Sequence, residues 1–215
     1  MANLSKTRTV FAFTSPRTIE KIIPEIQILV GLFSGREWNT NTQIAFFHEL
    51  FNSEFYEGSK IPDNVSLAAR DRITRAPKAL GFVDLKPKIA LTEVGKKLLS
   101  GKRTSEIIAK QLFKFQLPSP YHKIPSDRSF NVKPYLELLR LVKELGNISK
   151  MEIAIFFIQM NHHNKFESVV AAIKKFRNDI QKHKGNRNAF IDDVFTKQIL
   201  KIYSEEIIGN DLKTR

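Results

Sequence analysis

The sequence predicts a mainly α fold with small β-wings, of the α+β class, arranged as two successive helical subdomains. Apolar residues recur at helical spacing through most of the 215 positions. One pair of short β-prone runs, Phe82–Leu85 and Ile89–Leu91, flanks a basic turn. The loop-like segment Pro118–Asn131 then interrupts the helical pattern, which predicts domains at residues 1–118 and 119–215. With 42% hydrophobic residues, the chain has enough apolar side chains for a buried core.

The first subdomain is predicted to open with a β-prone run and two amphipathic helices. The run is Thr9–Phe13. Ser15 and Pro16 then predict a helix start, because serine caps a helix and proline suits its first turn. Pro24 is expected to kink this helix. A second helix is predicted over Thr42–Phe55. Its buried stripe is predicted at Ile44, Phe47, Leu50 and Phe51.

The next segment has the order of elements found in winged-helix DNA-binding domains. Ser66 is the predicted N-cap of a helix that Gly81 ends, and a strand, the basic turn Lys86–Lys88 and a returning strand follow. Thr92 is expected to cap a closing helix. Pro77 is expected to kink the first of these helices or to split it after Thr74. The buried stripe of that helix is predicted at Ala69, Ile73, Ala76 and Leu80. Such a helix fits the major groove, and the basic turn of a wing can reach the neighbouring backbone or the minor groove.

Thr104 is expected to cap one further helix, which leads into the boundary loop. The second subdomain is predicted to hold three helices with short connections, Pro134–Leu145, Lys150–Met160 and Lys165–Lys184, and a closing helix over Phe190–Ile208. Gly146 and Ser149 mark the first stop and the second start. The third helix is strongly basic, which is typical of a helix-turn-helix. Generic helical bundles share this pattern, so both interpretations stay open.

The positive charge is concentrated in two stretches of a chain whose net charge is +13. Residues 70–103 hold ten basic and three acidic residues, and residues 174–187 hold six basic residues and one acidic residue. Clustered charge of this kind favours nucleic acid as the partner, although a solvated lysine-rich surface would look similar. The candidate DNA-contacting residues are Arg17, Lys21, Arg70, Asp71, Arg72, Thr74, Arg75, Lys78, Lys86, Lys88, Lys174, Lys175, Arg177, Asn178 and Lys182.

Several kinds of active site find no support in the sequence. The absence of cysteine excludes disulfides and thiolate zinc sites, and the five histidines show no metal-ligand spacing. Asp63, Asp84 and Lys86 match the loose pattern of metal-dependent nucleases, but Asp84 and Lys86 fall at the solvated tip of the predicted wing rather than beside a carboxylate cluster. We therefore expect no catalytic residue, metal or cofactor in this chain. With no long apolar run or signal peptide, a cytoplasmic protein is expected.

A series of short segments, in order across most of the chain, resembles the N-terminal DNA-recognition region of AlwI-like type IIS restriction and nicking endonucleases. These segments are residues 15–26, 35–38, 70–72, 80–82, 91–96, 110–112, 118–119 with 122–123, 148–154 and 176–178. The resemblance implies successive winged-helix-like subdomains that read a short asymmetric site in double-stranded DNA. It also implies that cleavage belongs to a separate C-terminal nuclease domain that uses magnesium, for whose catalytic residues this chain has no matching positions.

From the resemblance we expect a prokaryotic, monomeric recognition module that lacks the cleavage domain and works with a nuclease domain or subunit. An excised fragment and a natural short protein both stay open. The alternative functions are a winged-helix transcription regulator, a plasmid replication initiator, a self-sufficient nuclease that uses Asp63, Asp84 and Lys86, and an adaptor that binds no nucleic acid.

Overall fold

The computed structural model describes residues 2–3, 10, 19–119, 122–123 and 130–202. Several sequence predictions lie outside these residues: the helix start at Ser15 and Pro16, the placement of Arg17, most of the loop Pro118–Asn131, and the part of the predicted closing helix beyond residue 202. The same holds for the Thr9–Phe13 strand apart from Val10. In chain order the elements are β1 (Ala2–Asn3), α1 (Ile22–Phe33), α2 (Thr40–Phe51), α3 (Val65–Ile73), β2 (Val83–Asp84), β3 (Ala90–Leu91), α4 (Glu93–Leu99), α5 (Thr104–Lys114), β4 (His122–Lys123), α6 (Pro134–Leu145), α7 (Lys150–Ile155), α8 (Phe166–Lys182) and α9 (Arg187–Ile202).

These elements confirm the mainly helical α+β class. Two compact units are present: the first comprises Ala12–Phe115, and the second comprises Met1–Phe11 with Gln116–Arg215. Compactness alone does not show independent folding, so the division into domains at residues 1–118 and 119–215 stays a prediction. Among the described residues, no helix is both long and apolar enough to cross a membrane.

The first unit is built on α1 and α2. A 3₁₀ turn, Ile19–Lys21, precedes α1, and Pro24 is therefore only the third residue of the α-helix. The first-turn N–H groups of a helix have no intrahelical partner, so a proline there removes no hydrogen bond. Pro24 marks the start of α1 rather than an interruption within it.

The predicted buried stripe of α2 is wrong by one position at its start. Ile44 is 36% exposed, and the inward-facing residues are instead Gln43, Phe46, Phe47 and Leu50. These residues are spaced at i, i+3, i+4 and i+7, the ordinary period of a helix face. Gln43 tolerates burial because its side-chain amide donates a hydrogen bond to the carbonyl oxygen of Trp38 at 3.0 Å.

Asn64, rather than the predicted Ser66, caps α3. The Asn64 side chain accepts a hydrogen bond from the backbone N–H of Leu67 at 2.9 Å, while the Ser66 hydroxyl donates to Asn64 at 3.2 Å. The α-helix ends at Ile73 and continues as a π-helical turn, Thr74–Lys78, that contains Pro77. The α-helical pattern thus changes within a residue of the predicted position, but the chain continues as a π-helical turn rather than splitting into two helices. The predicted stripe is confirmed as well: Ala69, Ile73, Ala76 and Leu80 are all buried.

A β-hairpin follows, with strands shorter than predicted. β2 and β3 are antiparallel, and Val83 faces Leu91 while Asp84 faces Ala90. Just before β3, Ile89 exchanges two backbone hydrogen bonds with the α1–α2 connection: Gly35 N–H donates to the Ile89 oxygen, and Ile89 N–H donates to the Arg36 oxygen, both at 2.8 Å. The sequence did not predict this contact. The β3 side of the hairpin is therefore hydrogen-bonded to the α1–α2 connection, and the turn 86–88 stays exposed.

The helices after the hairpin begin with different caps. Thr92 caps α4 as predicted, because its side chain accepts a hydrogen bond from Gly95 N–H at 3.0 Å. For α5 the predicted Thr104 cap is wrong. Arg103, which has a left-handed backbone with φ 54°, occupies the cap position and makes no side-chain capping bond.

In the second unit, α6, α7 and α8 follow the predicted order. Gly146 ends α6 with a φ of 78°, a conformation that favours glycine. Ser149 and Glu152 form a reciprocal capping box at the start of α7. α7 is shorter than predicted, since it ends at Ile155 and a 3₁₀ turn follows. On α8 the buried residues recur at helical spacing: Phe166, Val169, Val170, Ile173 and Phe176.

Candidate nucleic-acid interface

One side of α3 and its π-helical extension carries a polar surface, which we call the α3 outer face. It lies opposite the buried stripe because its residues are offset by about half a helical turn. Asp71 and Arg75 have side chains that are 38% and 42% exposed, and Leu67 is 41% exposed. The α3 outer face comprises Leu67, Arg70, Asp71, Thr74, Arg75 and Lys78.

Two intrahelical contacts fix side chains on this face. Arg75 Nη2 lies 3.0 Å from Asp71 Oδ2, one turn earlier. The Thr74 hydroxyl donates to the carbonyl oxygen of Arg70 at 2.5 Å, which leaves its oxygen able to accept a further hydrogen bond. An exposed ion pair of this kind contributes only about 0–1 kcal/mol to stability. In this pair the Arg75 guanidinium lies level with Asp71, one turn before its own position.

Lys78 connects the α3 outer face to the hairpin turn. The pKa of Lys78 is lowered first by burial and then by the nearby positive charge of Lys86, and the Asp84 carboxylate partly offsets both effects. Lys86 and Lys88 are exposed on the turn itself. Positive groups are therefore close enough here to repel one another, and a bound anion would relieve that repulsion.

Arg72, which the sequence placed among the DNA contacts, has an intramolecular role. Its Nη1 atom lies 2.6 Å from Oε1 of Glu25, a residue of α1 that is only 1% exposed. The Arg72 guanidinium also lies 4.9 Å from the centre of the Tyr56 ring. Burial raises the pKa of Glu25, and the hydrogen bond and charge of Arg72 oppose that rise. Arg72 thus joins α3 to α1, and its contact with DNA stays a prediction.

The remaining candidate in the described part of the first unit, Lys21, precedes α1. Its Nζ atom pairs with Oε2 of Glu57, and the two side chains are 24% and 80% exposed. Lys21 therefore already has a carboxylate partner within the first unit, in a pair that is partly exposed to solvent. A contact between Lys21 and DNA stays a prediction.

In the second unit, the surface of α8 opposite its buried stripe carries four predicted residues, which we call the α8 outer row. Lys174, Lys175, Asn178 and Lys182 are all exposed. Lys174 Nζ lies 3.1 Å from Glu144 Oε1, with both side chains about half exposed. Such a pair is readily broken in favour of another anion, since solvent screens it.

Arg177 lies on the same helix but turns toward the protein. Its Nε and Nη2 atoms contact the two carboxylate oxygens of Glu152 at 2.6 and 3.1 Å. Nη2 also donates to the Asn147 carbonyl oxygen at 2.7 Å, and Nη1 donates to the Leu145 carbonyl oxygen at 3.3 Å. Burial works to raise the pKa of Glu152, but hydrogen bonds from Arg177 and Ser149 hold it below its ordinary value. Arg177, like Arg72, has an intramolecular role, and its contact with DNA stays a prediction.

The three residues of the nuclease-like pattern lie on exposed parts of the first unit. Asp63 belongs to the α2–α3 loop, Asp84 to β2 and Lys86 to the hairpin turn. Among the described residues, no group of three or more histidine, aspartate or glutamate side chains is placed to hold a metal ion.

Comparison with known proteins shows the family of this chain. The sequence model of the family described as AlwI restriction endonuclease matches residues 78–211, more than half of the chain. The match includes the hairpin turn and the whole of α8. A search of the curated proteins finds no match.

Proposed function

Because the chain belongs to the AlwI restriction endonuclease family, we propose that it recognises a short sequence in double-stranded DNA and contributes this recognition to a site-specific endonuclease. Family membership implies a restriction-related role and an interaction with DNA. Our proposal adds that these 215 residues read the site as a type IIS recognition module, while a nuclease domain or subunit with bound magnesium cuts beside it.

The proposal rests on the α3 outer face and the adjoining hairpin turn. Three features follow one another along the first unit. A helix with a polar surface ends at Gly81, and a two-stranded hairpin with Lys86 and Lys88 at its turn comes next. We interpret this as a winged helix in which α3 enters the major groove. The turn would then contact the phosphate backbone, which positions the protein without reading bases.

The α8 outer row supports a second contact. Its lysines lie on one exposed side of a long helix whose opposite side is buried. We propose that they neutralise phosphates, each contact releasing condensed counterions from the DNA. Two different units make unlike contacts, and we therefore expect a monomer on an asymmetric site.

The test is selection of bound sequences from a random duplex library without magnesium, followed by titration of the selected duplex at several salt concentrations. We expect one asymmetric motif, affinity that falls steeply with salt, and no cleavage when magnesium is added. Weak binding whose affinity does not change with salt concentration would contradict the proposal that the chain recognises DNA. A two-fold symmetric motif bound by a dimer would indicate a regulator or replication initiator instead. Discrete cuts that Asp84→Ala abolishes would show that the chain is itself a nuclease.

Two single substitutions separate base reading from backbone contact. Arg75→Ala should cost about 1–3 kcal/mol on the selected site and relax the preference at one base pair, if Arg75 contacts a guanine edge. Lys88→Ala should weaken binding about equally on all sequences and lower the salt slope by about one unit. Titration of both variants on the selected site and on scrambled duplexes measures these effects. Equal behaviour of the two variants would contradict the assigned roles.

A further inference from the structure

Leu67 is the one apolar residue of the α3 outer face, and the DNA contacts predicted from the sequence do not include it. It is the third residue of α3, and its backbone N–H is held by the Asn64 cap at 2.9 Å. Its side chain is 41% exposed, and it precedes Asp71 and Thr74 by four and seven positions. At this spacing the three residues form one row along the helix.

An exposed leucine alone needs no explanation, since single apolar residues are common on protein surfaces. Leu32 on α1 is exposed to a greater extent, at 51%. The position of Leu67 is what distinguishes it: it lies in the first turn of the helix, beside the polar groups of the proposed reading surface. In helix-turn-helix proteins the N-terminal residues of the recognition helix contact the base edges.

We propose that Leu67 contacts the methyl group of a thymine and that Asp71 orients Arg75 toward a guanine one or two base pairs away. This inference rests on the proposed function of the first unit. Thymine is the base that presents a methyl group in the major groove, and an aliphatic side chain matches it. A bidentate arginine contact is the usual way to read guanine in the same groove.

The spacing follows from the ion pair. Because Arg75 Nη2 lies 3.0 Å from Asp71 Oδ2, the guanidinium lies level with Asp71 rather than with its own Cα atom. Leu67 and Asp71 are four residues apart, which is about 6 Å along an α-helix. With the helix along the groove, this is less than two steps of about 3.4 Å between base pairs. The selected motif should therefore contain a thymine within one or two base pairs of a guanine.

The experiment uses the full chain and the selected duplex, in which each thymine is replaced in turn by uracil. Uracil differs only by the missing methyl group. At one position the wild-type protein should lose about fourfold in affinity, the effect of one buried methyl group. Leu67→Ala should bind the thymine and uracil duplexes equally. Leu32→Ala is the matched control and should discriminate as the wild type does.

The positioning role of Asp71 has its own readout. Asp71→Asn should reduce discrimination for the neighbouring guanine about tenfold, and it should have no effect on that discrimination in a chain that already carries Arg75→Ala. The salt slope should not fall, because no contact between a lysine or arginine and a phosphate is removed. If the motif is selected but no thymine methyl group matters, Leu67 has no such role and the proposed function still stands. If no motif is selected, the proposed function itself fails.

Discussion

Replacing Gly95 by alanine is expected to destabilise the first unit by about 3 kcal/mol, the upper end of the cost of overpacking. A Cβ atom at Gly95 would lie 2.0 Å from the backbone oxygen of Phe82 and 2.9 Å from Cδ2 of Leu91. The nearer atom belongs to the backbone, so no side-chain rotation relieves the clash. The better helix propensity of alanine, about 1 kcal/mol, offsets only part of this cost.

The displacement would reach the hairpin as well as α4. Thr92 N–H donates to that same Phe82 oxygen at 3.2 Å, and the Thr92 hydroxyl donates to the Gly81 oxygen at 2.7 Å. Moving α4 away from Phe82 therefore weakens the bonds that join the base of the hairpin to the end of the α3 segment. We expect Gly95→Ala to weaken DNA binding too, because it shifts the hairpin turn relative to the α3 outer face.

The single tryptophan makes this prediction straightforward to measure. Trp38 lies in the first unit and packs edge-on against Phe46, with ring centroids 5.7 Å apart. Urea unfolding followed by Trp38 fluorescence reports on this unit. Gly31→Ala on α1 is the control, since a Cβ atom there meets nothing within 4 Å. It should be neutral or stabilising by up to about 1 kcal/mol. Equal midpoints for the two variants would contradict the predicted clash.

The parts of the fold that follow from local periodicity were predictable. The stripe Ala69, Ile73, Ala76 and Leu80 follows from helical spacing, and Gly81 follows from the need for a positive φ at the helix end. Thr92 was identified because threonine before a helix is a strong cap signal. Each of these inferences uses residues that are only a few positions apart, so the sequence alone contains the information that it needs.

The errors arise where several local solutions compete. Asn64 and Ser66 are both good N-caps, and only the backbone conformation decides between them. On α2, the row that begins at Gln43 is buried instead of the row that begins at Ile44. Gln43 can be buried because its side-chain amide donates a hydrogen bond to the Trp38 carbonyl oxygen. The contact between Ile89 and the Gly35–Arg36 segment uses backbone groups alone. No side-chain pattern therefore marks it.

Two of the predicted DNA contacts, Arg72 and Arg177, have long-range intramolecular partners that the sequence did not indicate. Arg72 pairs with a carboxylate 47 positions away, and Arg177 pairs with one 25 positions away. Helical spacing groups both arginines with the exposed lysines of their helices, and it carries no information about distant partners. The exposed candidates of the α3 outer face and of the α8 outer row keep their proposed roles. Their contacts with DNA stay predictions.

Arg177→Ala is expected to cost about 3 kcal/mol in the second unit, the lower end of the range for breaking a buried ion pair. The Glu152 side chain is 6% exposed and would lose its cation, while Arg177 is 30% exposed, which limits the loss. The substitution also removes donors to the Leu145 and Asn147 carbonyl oxygens. Arg177→Lys should recover part of the loss, because it restores the charge without the two-point contact. Hydrogen exchange of α6, α7 and α8 measures the change.

Lys174→Ala provides the matched control, one turn away on the same helix. Its pair with Glu144 is about half exposed on both sides, so its removal should cost no more than about 1 kcal/mol. It should nevertheless lower the salt slope of DNA binding by about one unit if Lys174 neutralises a phosphate. If Arg177→Ala instead lowered the salt slope and left the stability unchanged, Arg177 would be a DNA contact, as the sequence predicted.

The stability difference between the wild type and Arg177→Ala should also depend on pH. Because the pKa of Glu152 is held below its ordinary 4.5, the unfolded chain takes up a proton at this group before the folded chain does. The stabilisation from the contact is therefore present above about pH 4.5 and is lost as pH falls through the lower folded pKa. A protonated Glu152 is neutral and therefore loses little stabilisation when the Arg177 guanidinium is removed. Hydrogen exchange measured at pH 7 and below about pH 4.5 should show that the stabilities of the two proteins converge as pH falls. A stability difference independent of pH would mean that Arg177 acts only through the carbonyl oxygens of the α6–α7 turn.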